Sequence, residues 1–348
     1  MSVQTQTVPA GENPGGNRRI DFGAVGATLG PLLSLVILCL LIGSQESVFF
    51  SETNLLNVAR QASLTAILGC GMTFVILTGG VDLSVGSIVA LSSVSGGLLM
   101  YEQGWPMWAG VLVTMAVGAG CGLINGLIIT LGRIPPFIVT LGTMGIFRGV
   151  ALEITSGKPI FDITSRVPNF DIWGTRNLGP IPSPVIITLA VFAIAFLILR
   201  YTRLGLYTYA IGGNEQATRF SGVNIDRYKL AVYTMMGLAA GIAGVVWSSR
   251  LNSAQPTVAE GAELDAIAAV IIGGTSLFGG EGTIIGTLIG ALLLAVIRNG
   301  LNLLHISSFY QDITIGSVII LAVLIDQWRR HGSIGNLARR LRRTQASP

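Results

Sequence analysis

Residues 107–131 read MWAGVLVTMAVGAGCGLINGLIITL, and this stretch decides the fold. It holds no Asp, Glu, Lys or Arg and lies between Glu102 and Arg133. A helix of this length rises roughly 37 Å, more than the roughly 30 Å hydrocarbon core of a bilayer. A charge at the centre of such a helix costs about 2.5–3.5 kcal/mol, so charges mark its ends. Working outward by that rule gives further uncharged stretches at 24–43, 61–79, 83–101, 183–199 and 230–249. Four others are short or interrupted: 134–152, which contains Arg148, and 266–280, 282–297 and 313–325. The pattern predicts an all-α integral membrane protein of ten transmembrane helices, or eight or nine if the short stretches are half-helices.

Composition agrees. The 348 residues are 51% hydrophobic and only 11% charged, with a mean hydropathy of +0.69. Soluble domains carry roughly 25% charged residues. So few charges cannot cover a wetted surface, and most of the exterior must face lipid. The 46 glycines suit membrane helices, and the hydrophobicity excludes disorder. Cys39, Cys70 and Cys121 lie inside apolar runs and read as packing residues, not as a disulfide or metal framework. About 23 polar residues precede the first apolar run, which is long enough to span and reads as a retained helix, not a cleaved signal.

Ten spans place both termini on one side of the membrane. With that side cytoplasmic, Arg18, Arg19, Arg133, five Lys and Arg in 200–229 and six after Asp326 lie inside. Arg60, Arg148, Lys158, Arg166, Arg176, Arg250 and Arg298 lie outside. This two-to-one bias follows the positive-inside rule, so the net charge of +4 reflects topology and not a nucleic-acid partner. The expected divisions are a cytoplasmic tail at 1–23, a transmembrane domain at 24–326 containing a cytoplasmic loop at 200–229, and a basic cytoplasmic tail at 327–348.

Two finer patterns stand out. Residues 79–86 and 273–280 share G-G-x-x-L-x-x-G, and Asn-Gly-Leu follows later in each half, at Asn125 and Asn299. Five spans separate the copies, an odd offset that would make an internal repeat inverted, as in many transporters. Gly118, Gly122 and Gly126, then Gly237 and Gly241, then Gly282, Gly286 and Gly290 recur at four-residue steps. Small residues so spaced let helix backbones approach closely. Static packing is the plainer reading and a sliding gate the functional one.

No catalytic engine is visible. The only Gly-Lys pair, Gly157-Lys158, lacks the rest of a phosphate-binding loop, and neither a nucleophile elbow nor a metal-ligand spacing occurs. The chain is therefore expected to bind no metal or cofactor and to have no enzymatic activity. Asp82 is the best membrane-embedded acid, read either as a pathway group or as a helix cap with Ser84. In 200–229, Gly212-Gly213-Asn214 reads as a turn and Glu215–Phe220 as a short helix whose Glu215 and Arg219 suit its dipole. Gly222 stops it. A short charged helix between spans suits docking into a partner.

Several blocks, in order, carry a resemblance: 76–90 (ILTGGVDLSVGSIVA), 136–143 (PFIVTLGT), 211–224 (IGGNEQATRFSGVN), 253–257 (SAQPT), 263–280 (ELDAIAAVIIGGTSLFGG), 299–304 (NGLNLL) and 307–311 (SSFYQ). With these the sequence resembles the permeases of ribose-type sugar ABC importers, from about residue 50 to 326. The resemblance implies a ten-helix homodimer in the bacterial cytoplasmic membrane. It implies a cytoplasmic ATPase subunit carrying ATP and Mg, and a periplasmic sugar-binding protein delivering a pentose or related monosaccharide. Glu215, Ala217 and Gly222 resemble a coupling loop of Glu-Ala-Ala type with altered spacing, and Gly213, Asn214, Thr218 and Arg219 fall in the same block. Loops 153–180 and 250–265 would face the binding protein. Asp82, Asn125, Phe137, Asn299 and Gln311 are candidates for the pathway or its gate. The alternatives are the same architecture importing a non-sugar solute such as branched-chain amino acids, or an ion-coupled carrier.

Overall fold

Helix starts are set by residues that can satisfy or dispense with the first backbone N–H groups. Ser51 accepts from the amide of Asn54 to open α2 (Glu52–Leu77), and Asn224 caps α10 (Ile225–Leu251) in the same way. Pro136 begins α5 (Pro136–Ile154), where its missing N–H costs nothing. The computed structural model describes residues 22–330; almost all of the expected 1–23 tail, and the tail beyond 330, lie outside them.

Every uncharged stretch contains a helix. In addition to α2, α5 and α10 these are α1 (Phe22–Gln45), α3 (Val85–Tyr101), α4 (Met107–Gly132), α7 (Ser183–Tyr201), α11 (Ala262–Ile272), α12 (Ile284–Leu303) and α13 (Ser308–Arg330). Between them lie the one-turn α6 (Ile163–Arg166) and two polar-segment helices, α8 (Arg203–Gly213) and α9 (Glu215–Phe220). Among the described residues α2, α4, α5, α7, α10 and α12 are long and apolar enough to cross a membrane. The expected span at 266–280 is a correction: α11 ends at Ile272 after 11 residues, roughly 16 Å, and 273–283 form a loop. Gly274, at φ +90°, is the residue at which the chain leaves the helix.

The helices form a core and a rim. Of the apolar stretch of α2, 83% is buried, against 28% for α5, so α2 is central and α5 peripheral. Tyr233, Met236 and Val246 of α10 are likewise buried, whereas Leu33 of α1, Ile138 of α5, Ile194 of α7 and Ile320 of α13 are exposed. That exposed apolar rim is what a bilayer covers. Arg148 does not interrupt α5, because its guanidinium donates to the carbonyls of Pro256 (2.6 Å) and Val258 (2.9 Å). A charge at this depth survives by bonding inside the protein.

The packing repeats. α2 rests on α12 as α10 rests on α4; α3 touches α4 and α5 as α11 touches α12 and α13; and α3 meets α10 as α11 meets α2. A long helix, a non-helical linker turning inward (78–84 or 252–261) and a shorter helix occur in each half, entering from opposite ends. Asn125 and Asn299 fall on the counterpart helices α4 and α12. The two Gly-Gly motifs do not fall on counterparts. They lie side by side at one end, where the Gly280 amide donates to the Leu77 carbonyl at 3.0 Å.

Glycine sets the closest crossing. A Cβ on Gly118 would sit 2.5 Å from the Gly237 carbonyl oxygen, and one on Gly122 would collide with the Tyr233 carbonyl. The stripes of α4 and α10 thus face each other. On α12 the stripe is shorter than expected, since Gly282 precedes the helix; Gly286 and Gly290 abut the carbonyls of Gly273 and Ala269 on α11.

At the end opposite the Gly-Gly motifs, β1 (Ile160–Phe161) pairs antiparallel with β4 (Ser253–Ala254), and β2 (Asn177–Leu178) pairs with β3 (Ile181–Pro182). Arg166 donates to the Tyr101 carbonyl and stacks over its ring at 4.2 Å, and Arg60 reaches Asn177 at 2.8 Å. These contacts bind the loops of that end into one cap.

Candidate functional site

The 200–229 segment is more helical than its sequence suggests. Gly212 and Gly213 do not form a turn but end α8, which Thr202 opens by accepting from the Gly205 amide. Gly212 is required there for space, because a Cβ would collide with the Leu77 carbonyl and lie 2.4 Å or less from nothing but backbone, that of Leu77 and Gly280. Asn214 then breaks the helix with extended backbone, and its side chain accepts from the Ala217 amide at 2.9 Å to start α9. The Thr218 hydroxyl donates to the Ala210 carbonyl at 2.9 Å, folding α9 back on α8. Glu215 pairs with Lys229 of α10 at 2.8 Å and with Arg219 at 3.5 Å. Gly222, at φ +83°, releases the chain toward α10.

Gly213, Asn214, Ala217, Arg219 and Gly222 are exposed, while Thr218 is buried and Glu215 half-buried. The most prominent group is one the sequence reading passed over. Phe220 is 89% exposed at the end of α9. The signal for it was a lone aromatic in a six-residue helix too short to bury a face of its own.

Beneath α8 three segments converge. In addition to the Gly280–Leu77 bond, the Tyr209 hydroxyl donates to the Gly282 carbonyl at 2.7 Å. A Cβ on Gly279 would sit 2.9 Å from the Gly79 nitrogen and 3.0 Å from the Gly212 α-carbon. The ends of α2 and α8 and the 273–283 loop are therefore joined backbone to backbone.

Just inside that joint the 78–84 linker holds Asp82, which is fully buried. Its Oδ1 accepts from the Ser84 amide (2.9 Å) and hydroxyl (2.6 Å), and Asn125 of α4 donates to the same hydroxyl oxygen at 2.8 Å. Thr140 of α5 donates to the Val81 carbonyl at 3.2 Å. Ser84 occupies the N-cap of α3 yet makes no cap bond with its side chain, because its hydroxyl is turned to Asp82. Irregular backbone at membrane depth persists only where protein satisfies it. The Asp82–Ser84–Asn125 chain does this for the linker. Asp82 Oδ2, Asn125 Oδ1 and the Tyr233 hydroxyl have no partner among the described residues.

The other three pathway candidates stand apart. Asn299 exchanges two amide bonds with Asn54 of α2, at 2.8 and 3.0 Å, a clasp between buried side chains. Phe137 is 55% exposed on the rim face of α5. Gln311 donates to Asn302 at 2.7 Å at the opposite end, lining a cavity there. Asp82 and Asn125 are thus brought together, and Asn299, Phe137 and Gln311 are not.

The family described as "Branched-chain amino acid transport system / permease component" matches residues 54–323, from the start of α2 well into α13. The chain belongs to this permease family. The permease is 46% identical over 310 residues to the ribose import permease protein RbsC of Bacillus subtilis, covering 89% of this chain and 96% of that one. It is 46% identical to RbsC of Escherichia coli K12 over 85% of this chain and 92% of the relative. Against the D-allose transport system permease protein AlsC of Escherichia coli K12 the identity is 39%, over 88% and 94%. No solved structure matches the permease. Family membership and the membrane-length helices together make it a multi-pass protein of the bacterial inner membrane.

Proposed function

We propose that this chain is the membrane-spanning subunit of a binding-protein-dependent ABC importer, moving a small sugar inward while a separate ATPase subunit supplies the energy. The observation that carries the reading is the 46% identity to ribose import permeases over nearly the full length of both chains. The family description mentions branched-chain amino acids, but the relatives matched over most of their length transport ribose, allose, fructose and xylose. Sugar is therefore the preferred cargo, a pentose or related monosaccharide.

In this reading the chain crosses the membrane ten times, one crossing being α11 continued by the 273–283 loop, both termini are cytoplasmic, and two copies of the chain form the pore. The end bearing α8 and α9 faces the cytoplasm, where Phe220, Ala217 and Arg219 meet the ATPase. ATP and Mg are bound there, on the partner, and this chain has no enzymatic activity of its own. The capped end formed by 155–182 and 252–261 receives the sugar-binding protein. Movement of α9 has two routes inward. One is the Glu215–Lys229 pair to α10, and the other is the α8 backbone to the joint with Leu77 and Gly280. Either displaces the ends of helices that hold the Asp82 linker, switching access from one side to the other.

The test is purification in mild detergent from native membranes, followed by ATPase assay. An ATPase subunit should copurify in fixed ratio, with hydrolysis stimulated by a sugar-loaded binding protein. A chain that purifies alone and moves sugar in ATP-free liposomes would establish a carrier instead.

A further inference from the structure

Near the capped end a cavity of about 300 Å³ opens between α2, α10, α11, α12 and α13. This volume lies at the small end of the range for small-molecule pockets and is enough for a monosaccharide. Its lining is unusual for a membrane interior. Trp247 presents an aromatic ring, Gln61 an amide and Arg250 a guanidinium, beside the Asp265–Arg298 ion pair at 2.8 Å and the amide of Gln311. The side chains of Gln61 and Arg250 make no hydrogen bond or ion pair with another described residue. The floor is leucine, contributed by α2 and α12.

We propose that this cavity is a monosaccharide site within a single subunit, a way station that takes sugar from the binding protein before the pathway opens; it rests on the sugar-import reading above. A sugar offers hydroxyls that both donate and accept, set around a ring with C–H faces. It is recognised by donors and acceptors side by side, with an aromatic face for the ring. Gln61 and Arg250 supply unengaged donors, Asp265 and the Asn302–Gln311 pair supply acceptors, and Trp247 supplies the face. An apolar amino acid side chain would strand the polar wall. The site needs only millimolar affinity, since a tight one would hold the cargo it must pass on.

The test uses the full chain in lipid nanodiscs without partners, measuring equilibrium binding of tritiated D-ribose and D-allose. Saturable binding in the millimolar range is expected, weakened about tenfold by Gln61→Leu and by Arg250→Gln, the loss of one good hydrogen bond in each case. Trp247→Phe should retain binding and Trp247→Ala lose it, with all variants eluting as monodisperse protein. In parallel, uptake is measured with the reconstituted importer. Uptake of either sugar by an importer whose permease binds none would overturn the cavity site and leave the import reading intact. Binding unchanged by all three losses would also overturn it, placing the sugar elsewhere. No uptake of either sugar and no binding would remove ribose and allose as cargo together with the cavity as their site.

Discussion

Gly122 is among the most closely surrounded glycines of the α4–α10 crossing, facing the Tyr233 carbonyl and the Gly237 backbone. Leu at 122 must push the two helices apart, and overpacking of this kind costs about 1–3 kcal/mol or more. A lowered thermal midpoint in detergent is the expected outcome for Gly122→Leu, and an unchanged melt would place that face against lipid. At this scale much could be read in advance. Glycines at four-residue steps announced a close crossing because only backbone-on-backbone packing calls for that spacing. What the spacing left open was which stripe meets which, as one helix sequence does not name its partner. The buried polar side chains were less readable still. Asn299 was a plausible pathway residue by type, yet its donors and acceptors are spent on Asn54, 245 positions earlier.

Among the elements, α9 offers the sharpest test, because docking and folding separate on it. Phe220→Ala removes an 89% exposed ring that touches little of its own chain. It should leave the melt unchanged and reduce copurification of the ATPase and ATP-driven uptake. Glu215→Lys should also abolish uptake, but it sets a third cation beside Lys229 and Arg219 and so disturbs α9 itself. The pair it breaks is partly exposed and worth about 0.2–1 kcal/mol. Normal uptake by both variants would end the docking role of α9. The short helix was legible from Glu215 and Arg219. Its neighbour α8 was not, since Gly212-Gly213 resembles a turn when the crowding by Leu77 and Gly280 is unseen. The same blindness extended α11 past Ile272. An uncharged run reports burial in protein or lipid, and it is silent about where the backbone stops being helical.

For the whole molecule, orientation is the property to measure. In a background lacking Cys39, Cys70 and Cys121, a cysteine at Phe161 should react with a membrane-impermeant maleimide in intact cells. One at Gln216 should react only after permeabilisation. The reverse pattern would invert the assignment of the two ends. The succession of helices followed from hydropathy, whereas which helices lie at the centre of the bundle did not. The resemblance between residues 79–86 and 273–280 reflects two loops pressed together at one end, and the true correspondence is carried by contacts between helices of unlike sequence.

That correspondence has a consequence for how the chain knows which way up it is. Helices whose contacts pair off in this way, α2–α5 with α10–α13, offer little by which to tell one end of the bundle from the other. The instruction must be written in the parts with no counterpart: the basic run at 200–229 that joins the halves, and the charged tails. Those few lysines and arginines act as an address label on an otherwise reversible parcel.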